Sequence, residues 1–110
     1  MTDLEITKAC AEAMGYSHHT PKGTDLNPDG KIPLSVEYSG GMMRYDPLHD
    51  DAQAMALVQK LGLDVQHYYW DNPVVSKHDA HGNLLAEVRN ENLSRAICEC
   101  VAKMQQPKQP

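Results

Sequence analysis

The sequence has no phenylalanine and a single tryptophan, Trp70, among its 110 residues. Its apolar content comes instead from Leu, Val, Ala and Met, which predicts one modest core. The length fits one domain, which we assign to residues 1–104. Residues 105–110 form a polar, Pro-containing segment that we expect to be a disordered tail.

Basic residues are scarce as well: ten Lys and Arg stand against fifteen Asp and Glu, a net charge of −5. Binding to a nucleic-acid backbone rests on clustered Lys and Arg, so this charge argues against a nucleic-acid partner. No stretch approaches the ~20 apolar residues that a membrane span requires, and we expect no membrane partner.

Secretory features are lacking too. Residues 1–5 do not show the basic and then apolar pattern of a signal peptide. Three cysteines, an odd number with Cys98 and Cys100 one residue apart, do not make a disulfide framework. We therefore expect a reduced, cytoplasmic protein.

Periodicity and turn residues predict eight elements in the order α-β-β-α-β-β-β-α. The helices are predicted at 3–14, 49–61 and 91–104, with a capping box at Thr2 and Glu5 and with Asn90 as the last N-cap. The strands are predicted at 32–38, 42–45, 63–70, 74–77 and 84–88, with loops at 16–31, 39–41 and 78–83. This order favours an α+β fold in which helices sandwich a small, mostly antiparallel sheet.

Four stretches of the chain resemble the phage ABA sandwich domain, a family of small phage and prophage proteins. They are Met14-Gly15-Tyr16, the Ala-rich helix 50–61 with its acidic start, the Trp-containing strand with its following hairpin, and the terminal-helix segment 92–100 with its Ala-Ile-Cys. The resemblance implies a helix–sheet–helix sandwich encoded by a phage and present in the host cell cytoplasm. It implies no activity, because the family has none assigned.

One segment is similar to a calcium site. Asp25 to Ile32 matches the first eight positions of an EF-hand loop, with oxygen-bearing side chains at positions 1, 3 and 5 and Gly at position 6. Position 12, which should be a bidentate Glu, is Val36, and Pro21 and Gly23 exclude an incoming helix. We interpret the segment as a Pro-Asp-Gly turn rather than a metal site.

The remaining reactive side chains do not form a recognisable catalytic or metal motif. His78 and His81 flank Asp79 at a spacing that a metal could use, but without further ligands we interpret them as solvated loop residues. Cys98 and Cys100 lie about 200° apart around a helix and cannot share an ion. There is no Gly-x-Ser-x-Gly elbow and no Gly-rich phosphate loop. The sequence therefore predicts no catalytic residues, no metal and no cofactor.

Binding is the class of function that remains. Tyr68 and Trp70, with Arg44 or Arg89 beside them, are the candidate residues for stacking on a flat ligand or anchoring a protein partner. The alternative, favoured by the lack of Phe, is that Trp70 fills the core. The strand's other face is expected to join the core through Val65, His67 and Tyr69.

We therefore expect a non-enzymatic phage accessory protein that binds a protein partner or itself, as a homo-oligomer. Two alternatives stay open. A protein that sequesters a small molecule, such as a signalling nucleotide, needs a concave site with an aromatic residue and arginines. A small hydrolase needs acidic and His side chains that converge in a cleft.

Overall fold

The computed structural model describes residues 2–19, 34–38, 41–68 and 70–105. In chain order the elements are α1 (Asp3–Ala13), β1 (Ser17–His19), β2 (Leu34–Tyr38), β3 (Gly41–Tyr45), α2 (Asp51–Leu61), β4 (Asp64–Tyr68), β5 (Asp71–His78), β6 (Leu84–Arg89) and α3 (Leu93–Gln105). The α+β class is confirmed, and every strand pairing is antiparallel. The strands form two three-stranded sheets, β1-β2-β3 (sheet A) and β4-β5-β6 (sheet B).

Strand β1 corrects the prediction of a loop over 16–31. Gly15 ends α1 with a φ of 80°, and the N–H of Tyr16 returns to the carbonyl of Ala11 at 3.0 Å. This tight reversal leads the chain directly alongside β2, where Ser17 pairs with Glu37. A strand of three residues is too short to show an alternating apolar pattern, so the sequence does not reveal it.

Sheet B buries a row of valines. Val75 of the central strand pairs with Val65 of β4 and with Val88 of β6, and Val75 and Val88 belong to the buried core. Strand β4 ends at Tyr68, which pairs with Asp71. The predicted strand over 63–70 is therefore too long, and Trp70 lies in the turn that follows it.

Capping residues bound the first two helices, and α2 begins at Asp51 rather than at the predicted residue 49. The hydroxyl of Thr2 accepts the N–H of Glu5 at 3.2 Å, so this side of the predicted capping box is confirmed. The carboxylate of Asp50 caps α2 by accepting the N–H of Gln53 at 3.0 Å. Gly62 closes α2 in the left-handed conformation, with a φ of 65°.

The N-cap of α3 is not the predicted Asn90. The side-chain oxygen of Asn92 accepts the N–H of Arg95 at 3.1 Å, and that of Asn90 accepts the N–H of Asn92 at 2.9 Å in the preceding turn. At its other end α3 includes Gln105, which the sequence placed in the tail. Residues 106–110 lie outside the described part of the chain.

Helix α3 is the central element of the fold. It contacts α1, α2, β5 and β6, while α1 also contacts β1 and β2 of sheet A. Small side chains on α3 let these neighbours pack close to the helix. Seven of its thirteen residues are buried, namely Ser94, Ala96, Ile97, Cys98, Cys100, Val101 and Ala102. The core around α3 also takes in Tyr45 and Leu57, so both sheets and all three helices contribute to one buried cluster.

Candidate binding surfaces

Trp70 is 86% exposed in the turn between β4 and β5, so the favoured expectation that it fills the core is wrong. The pairing of Tyr68 with Asp71 joins the two strands, and Trp70 lies in the turn between them. A residue in this turn lies beyond the end of the sheet, away from the side chains of the core. Trp70 is thus a large apolar side chain at a hairpin tip.

Polar contacts hold the base of this hairpin tip. The guanidinium of Arg89 donates to the carboxylate of Asp71, and both side chains are about half exposed. The other oxygen of Asp71 accepts the N–H of Asn72 at 2.8 Å. The pKa of Asp71 is lowered, first by this backbone hydrogen bond and then by Arg89, since both favour the ionised carboxylate. The predicted site residues Trp70 and Arg89 therefore lie at the same end of sheet B.

Of the other two predicted site residues, Arg44 lies in the other sheet, whereas the backbone of Tyr68 lies at this same end of sheet B. Arg44 is exposed in β3 of sheet A, where it pairs with Ser35 and its carbonyl accepts the side-chain amide of Gln53 at 2.9 Å. Tyr68 ends β4, but its side chain lies outside the described part of the chain, as does Tyr69. The expected inward set is only partly correct. Val65 packs against the core, whereas His67 is exposed.

A groove that the sequence analysis did not identify lies between α2 and α3. We call it the α2–α3 groove; it has a volume of about 320 Å³, and its lining consists of Asp51, Met55, Asn92, Leu93, Ser94 and Ile97. Ile97 is fully buried, and Met55 is 43% exposed on the α2 side. The helical spacing of Ala54, Leu57, Val58 and Leu61 in the sequence predicts an apolar stripe on α2 that omits Met55. Its position off that stripe was the signal that could have identified this surface.

One hydrogen bond crosses this groove from helix to helix. The hydroxyl of Ser94 donates to the carboxylate of Asp51 at 2.6 Å, a length typical of a bond to a charged acceptor. Both helices are capped at the same end, α2 by Asp50 and α3 by Asn92. The Ser94–Asp51 hydrogen bond therefore joins the two walls of the groove near the capped helix ends.

A buried polar cluster lies where α1, α3 and sheet A meet. The Tyr45 hydroxyl is buried and has no hydrogen-bond partner among the described residues. Its ring contacts Tyr16 edge-on, with centroids 5.7 Å apart. The Cys10 thiol donates to the Cys98 carbonyl at 3.7 Å. All three cysteines are free and buried.

Burial favours the neutral forms of the Tyr45 phenol and of the Cys98 and Cys100 thiols. Burial raises the pKa of Tyr45, with the nearby thiols of Cys10 and Cys98 adding to the effect. The pKa of Cys98 is raised first by its hydrogen bond with Cys10 and then by burial, and burial raises the pKa of Cys100 to about 11. Because the thiolate is the reactive form, these thiols are held in an unreactive state.

No cluster of three or more His, Cys, Asp or Glu side chains within the described residues could hold a metal ion. His78 instead lies 3.4 Å from Asp64. The carboxylate of Asp79 accepts the N–H groups of His81 and Asn83 at 2.8 and 2.9 Å, so it organises the loop. The segment from Asp25 to Ile32, similar to an EF-hand loop, lies outside the described residues.

Comparisons with known protein families, with curated proteins and with solved structures gave no match. The resemblance to phage ABA sandwich proteins therefore stays a prediction from the sequence. Within the described parts of the chain, no helix has the length and apolar character needed to cross a bilayer.

Proposed function

We propose that the protein acts by non-catalytic binding of a protein partner, with Trp70 as the anchor. The observation that carries this proposal is the 86% exposure of the chain's only tryptophan at a hairpin tip. A tryptophan buries about 150–250 Å² when covered, so an 86% exposed one leaves about 3–5 kcal/mol of apolar burial unused at ~25 cal/mol per Å². Tryptophan is also among the residues most enriched at the energetic centres of interfaces.

The hairpin presents Trp70 on a fixed base. The Asp71–Arg89 ion pair and the bond from the N–H of Asn90 to the carbonyl of Pro73 at 3.3 Å tie the start of β5 to the end of β6. A fixed base reduces the ordering cost that binding must overcome. The sequence resemblance supports the further proposal that the chain is a phage or prophage accessory protein whose partner is a host protein, a phage protein or a second copy.

The two alternative functions have less support. The six described residues that line the α2–α3 groove include no aromatic residue and no arginine, whereas a nucleotide-sequestering site needs both. They also include no histidine, and the hydroxyl of Ser94 there donates to Asp51 rather than to a general base. The raised pKa values of Cys98 and Cys100 keep these two thiols protonated, and protonated thiols are poor nucleophiles.

The test is a quantitative pull-down from host lysate with Trp70→Ala and the matched control Leu85→Ala. Leu85 is 44% exposed in the same sheet, so both substitutions should leave the melting temperature nearly unchanged. Light scattering on the purified proteins measures self-association. We expect Trp70→Ala to lose a partner, or the oligomer, that the wild type and the control retain.

Two results would contradict the proposal. One is that Trp70→Ala retains the same partners and oligomeric state as the wild type. The other is a rise of several degrees in melting temperature with a nucleotide, because a ligand at a hundred times its Kd adds about 2.7 kcal/mol of stability. The second result would favour the sequestering function.

A further inference from the structure

We propose that the α2–α3 groove is a second binding surface, and that it accepts a basic amphipathic segment of another protein. The segment would insert a large apolar side chain between Met55 and Leu93 and place Lys or Arg over the acidic rim. The groove is formed by different residues from those of the Trp70 hairpin. The inference therefore does not depend on the role proposed for Trp70.

The apolar part of the argument rests on Met55. Helix α2 buries only Ala54 and Leu57 completely, yet it leaves the larger Met55 43% exposed beside the partly buried Leu93. The space of about 320 Å³ beside them is at the lower end of the range for ligand pockets. Such a space suits one or two apolar side chains of a peptide better than a whole cofactor.

The rigidity of the groove favours binding. The Ser94–Asp51 hydrogen bond joins its two walls, and the capping bonds of Asp50 and Asn92 fix the first turn of each helix. A preformed groove loses little conformational freedom when it is occupied, so more of the contact energy appears as affinity.

The charged residues around the groove indicate which kind of segment it binds. Asp51 lines the groove, and the exposed residues Asp50 and Glu91 are chain neighbours of the lining residues Asp51 and Asn92. Each helix N-terminus carries roughly half a positive charge, so the two together offset about one of these three carboxylates. Among the described residues at the groove, negative charge therefore exceeds positive charge, which favours Lys and Arg on the partner and disfavours a phosphate ligand.

The nearby cation Arg95 does not reverse this field. Its guanidinium donates to Asp3 at 3.0 Å and to Glu99 at 2.8 Å, so its charge is compensated by two carboxylates. A second copy of the chain is also a poor occupant. Each copy carries a net charge of −5, and a symmetric contact would bring the two acidic rims together.

The experiment uses two synthetic helical peptides as probes, one built from Leu and Lys and the other from Leu and Glu. Binding to the full chain is measured by calorimetry and mapped by amide chemical shifts in ¹⁵N spectra. We expect the Leu/Lys peptide to bind, with shifts concentrated at 50–56 and 91–97. The Leu/Glu peptide should not bind there.

Variants separate the apolar and electrostatic contributions. Met55→Ala should weaken Leu/Lys binding about tenfold, because the contact of one large apolar side chain is lost. Glu91→Lys should weaken it about threefold at low salt and much less at ~0.5 M salt, where exposed charges are screened. The matched control Leu85→Ala removes an equally exposed side chain from sheet B. It should leave Leu/Lys binding unchanged at both salt concentrations.

Three results of the peptide experiment would overturn the inference. They are equal binding of both peptides, Leu/Lys binding that Met55→Ala leaves unchanged, and chemical shifts that map outside the groove. Concentration-dependent dimerisation that shifts the groove residues without peptide would also overturn it, since the occupant would then be a second copy. Loss of peptide binding in Trp70→Ala would show instead that the hairpin tip is the binding site.

Discussion

Replacing Tyr45 by Phe should stabilise this protein, although most substitutions in a core destabilise it. The Tyr45 hydroxyl is buried without a hydrogen-bond partner among the described residues, and such a group costs about 1–3 kcal/mol. Phe keeps the ring and its edge-on contact with Tyr16. We therefore expect the free energy of unfolding to rise by about 1 kcal/mol, which corresponds to a gain of roughly 4 °C in melting temperature.

The same substitution should change the response to alkaline pH. In the folded chain burial raises the pKa of Tyr45, so the phenol stays neutral above pH 10, whereas in the unfolded chain it ionises near its ordinary value. The unfolded state then binds fewer protons than the folded state, and stability falls as pH rises. For this one group the slope is at most ~1.4 kcal/mol per pH unit. Tyr45→Phe should lack this contribution to the fall in stability at alkaline pH.

The assay is urea unfolding followed by circular dichroism at pH 7 and at steps from pH 9 to 11. The buried cysteines also release protons on unfolding in this range, but they do so in both proteins and cancel in the difference. Tyr16→Phe, which removes the hydroxyl of a partly exposed ring, is the control and should stay within ~0.5 kcal/mol of the wild type. A loss of 1 kcal/mol or more in Tyr45→Phe, or a stability difference that does not grow above pH 10, would refute the reasoning.

Three further predictions concern helix ends and thiols. Gly62→Ala should lower the free energy of unfolding in urea by about 1 kcal/mol, because Gly62 has a φ of 65° and a methyl group there would lie 3.4 Å from the Lys77 ammonium. An unchanged free energy would mean that the left-handed cap is not required. Asp50→Ala should lower the free energy of unfolding by about 1 kcal/mol, because it removes the acceptor for the N–H of Gln53. Asp50→Asn keeps an acceptor and should recover most of that stability. Equal losses in the two variants would assign the effect to the charge of Asp50. The three cysteines should react with a thiol reagent only as fast as the protein opens, and rapid labelling of the native protein would contradict their burial.

The helices could be predicted from the sequence because their signals are local. Thr2 and Asp50 precede apolar stripes, and Gly15 and Gly62 follow them, so each pattern is complete within about twelve residues. Local pattern was ambiguous only where two similar residues competed. Both Asn90 and Asn92 can cap a helix, and the sequence alone does not distinguish them.

The candidate surfaces were harder to predict because they depend on tertiary packing. An aromatic run such as Tyr68 to Trp70 is typical of a strand, but a turn after Tyr68 places Trp70 outside the sheet. The need for apolar volume in a chain without Phe is met by Tyr45 and by small side chains packed around α3. The α2–α3 groove arises only when two helices that are distant in the chain meet.

The central position of α3 has a consequence for synthesis of the protein. A ribosome completes residues 93–105 after every other described element, yet α3 is the helix on which α1, α2 and sheet B all pack. The bond between Cys10 and Cys98 joins residues 88 positions apart. Until that distance is closed, the nascent chain exposes the valines of sheet B and the apolar faces of two helices. The growing polypeptide is therefore open to aggregation and to chaperone capture until residues 93–105 have been made.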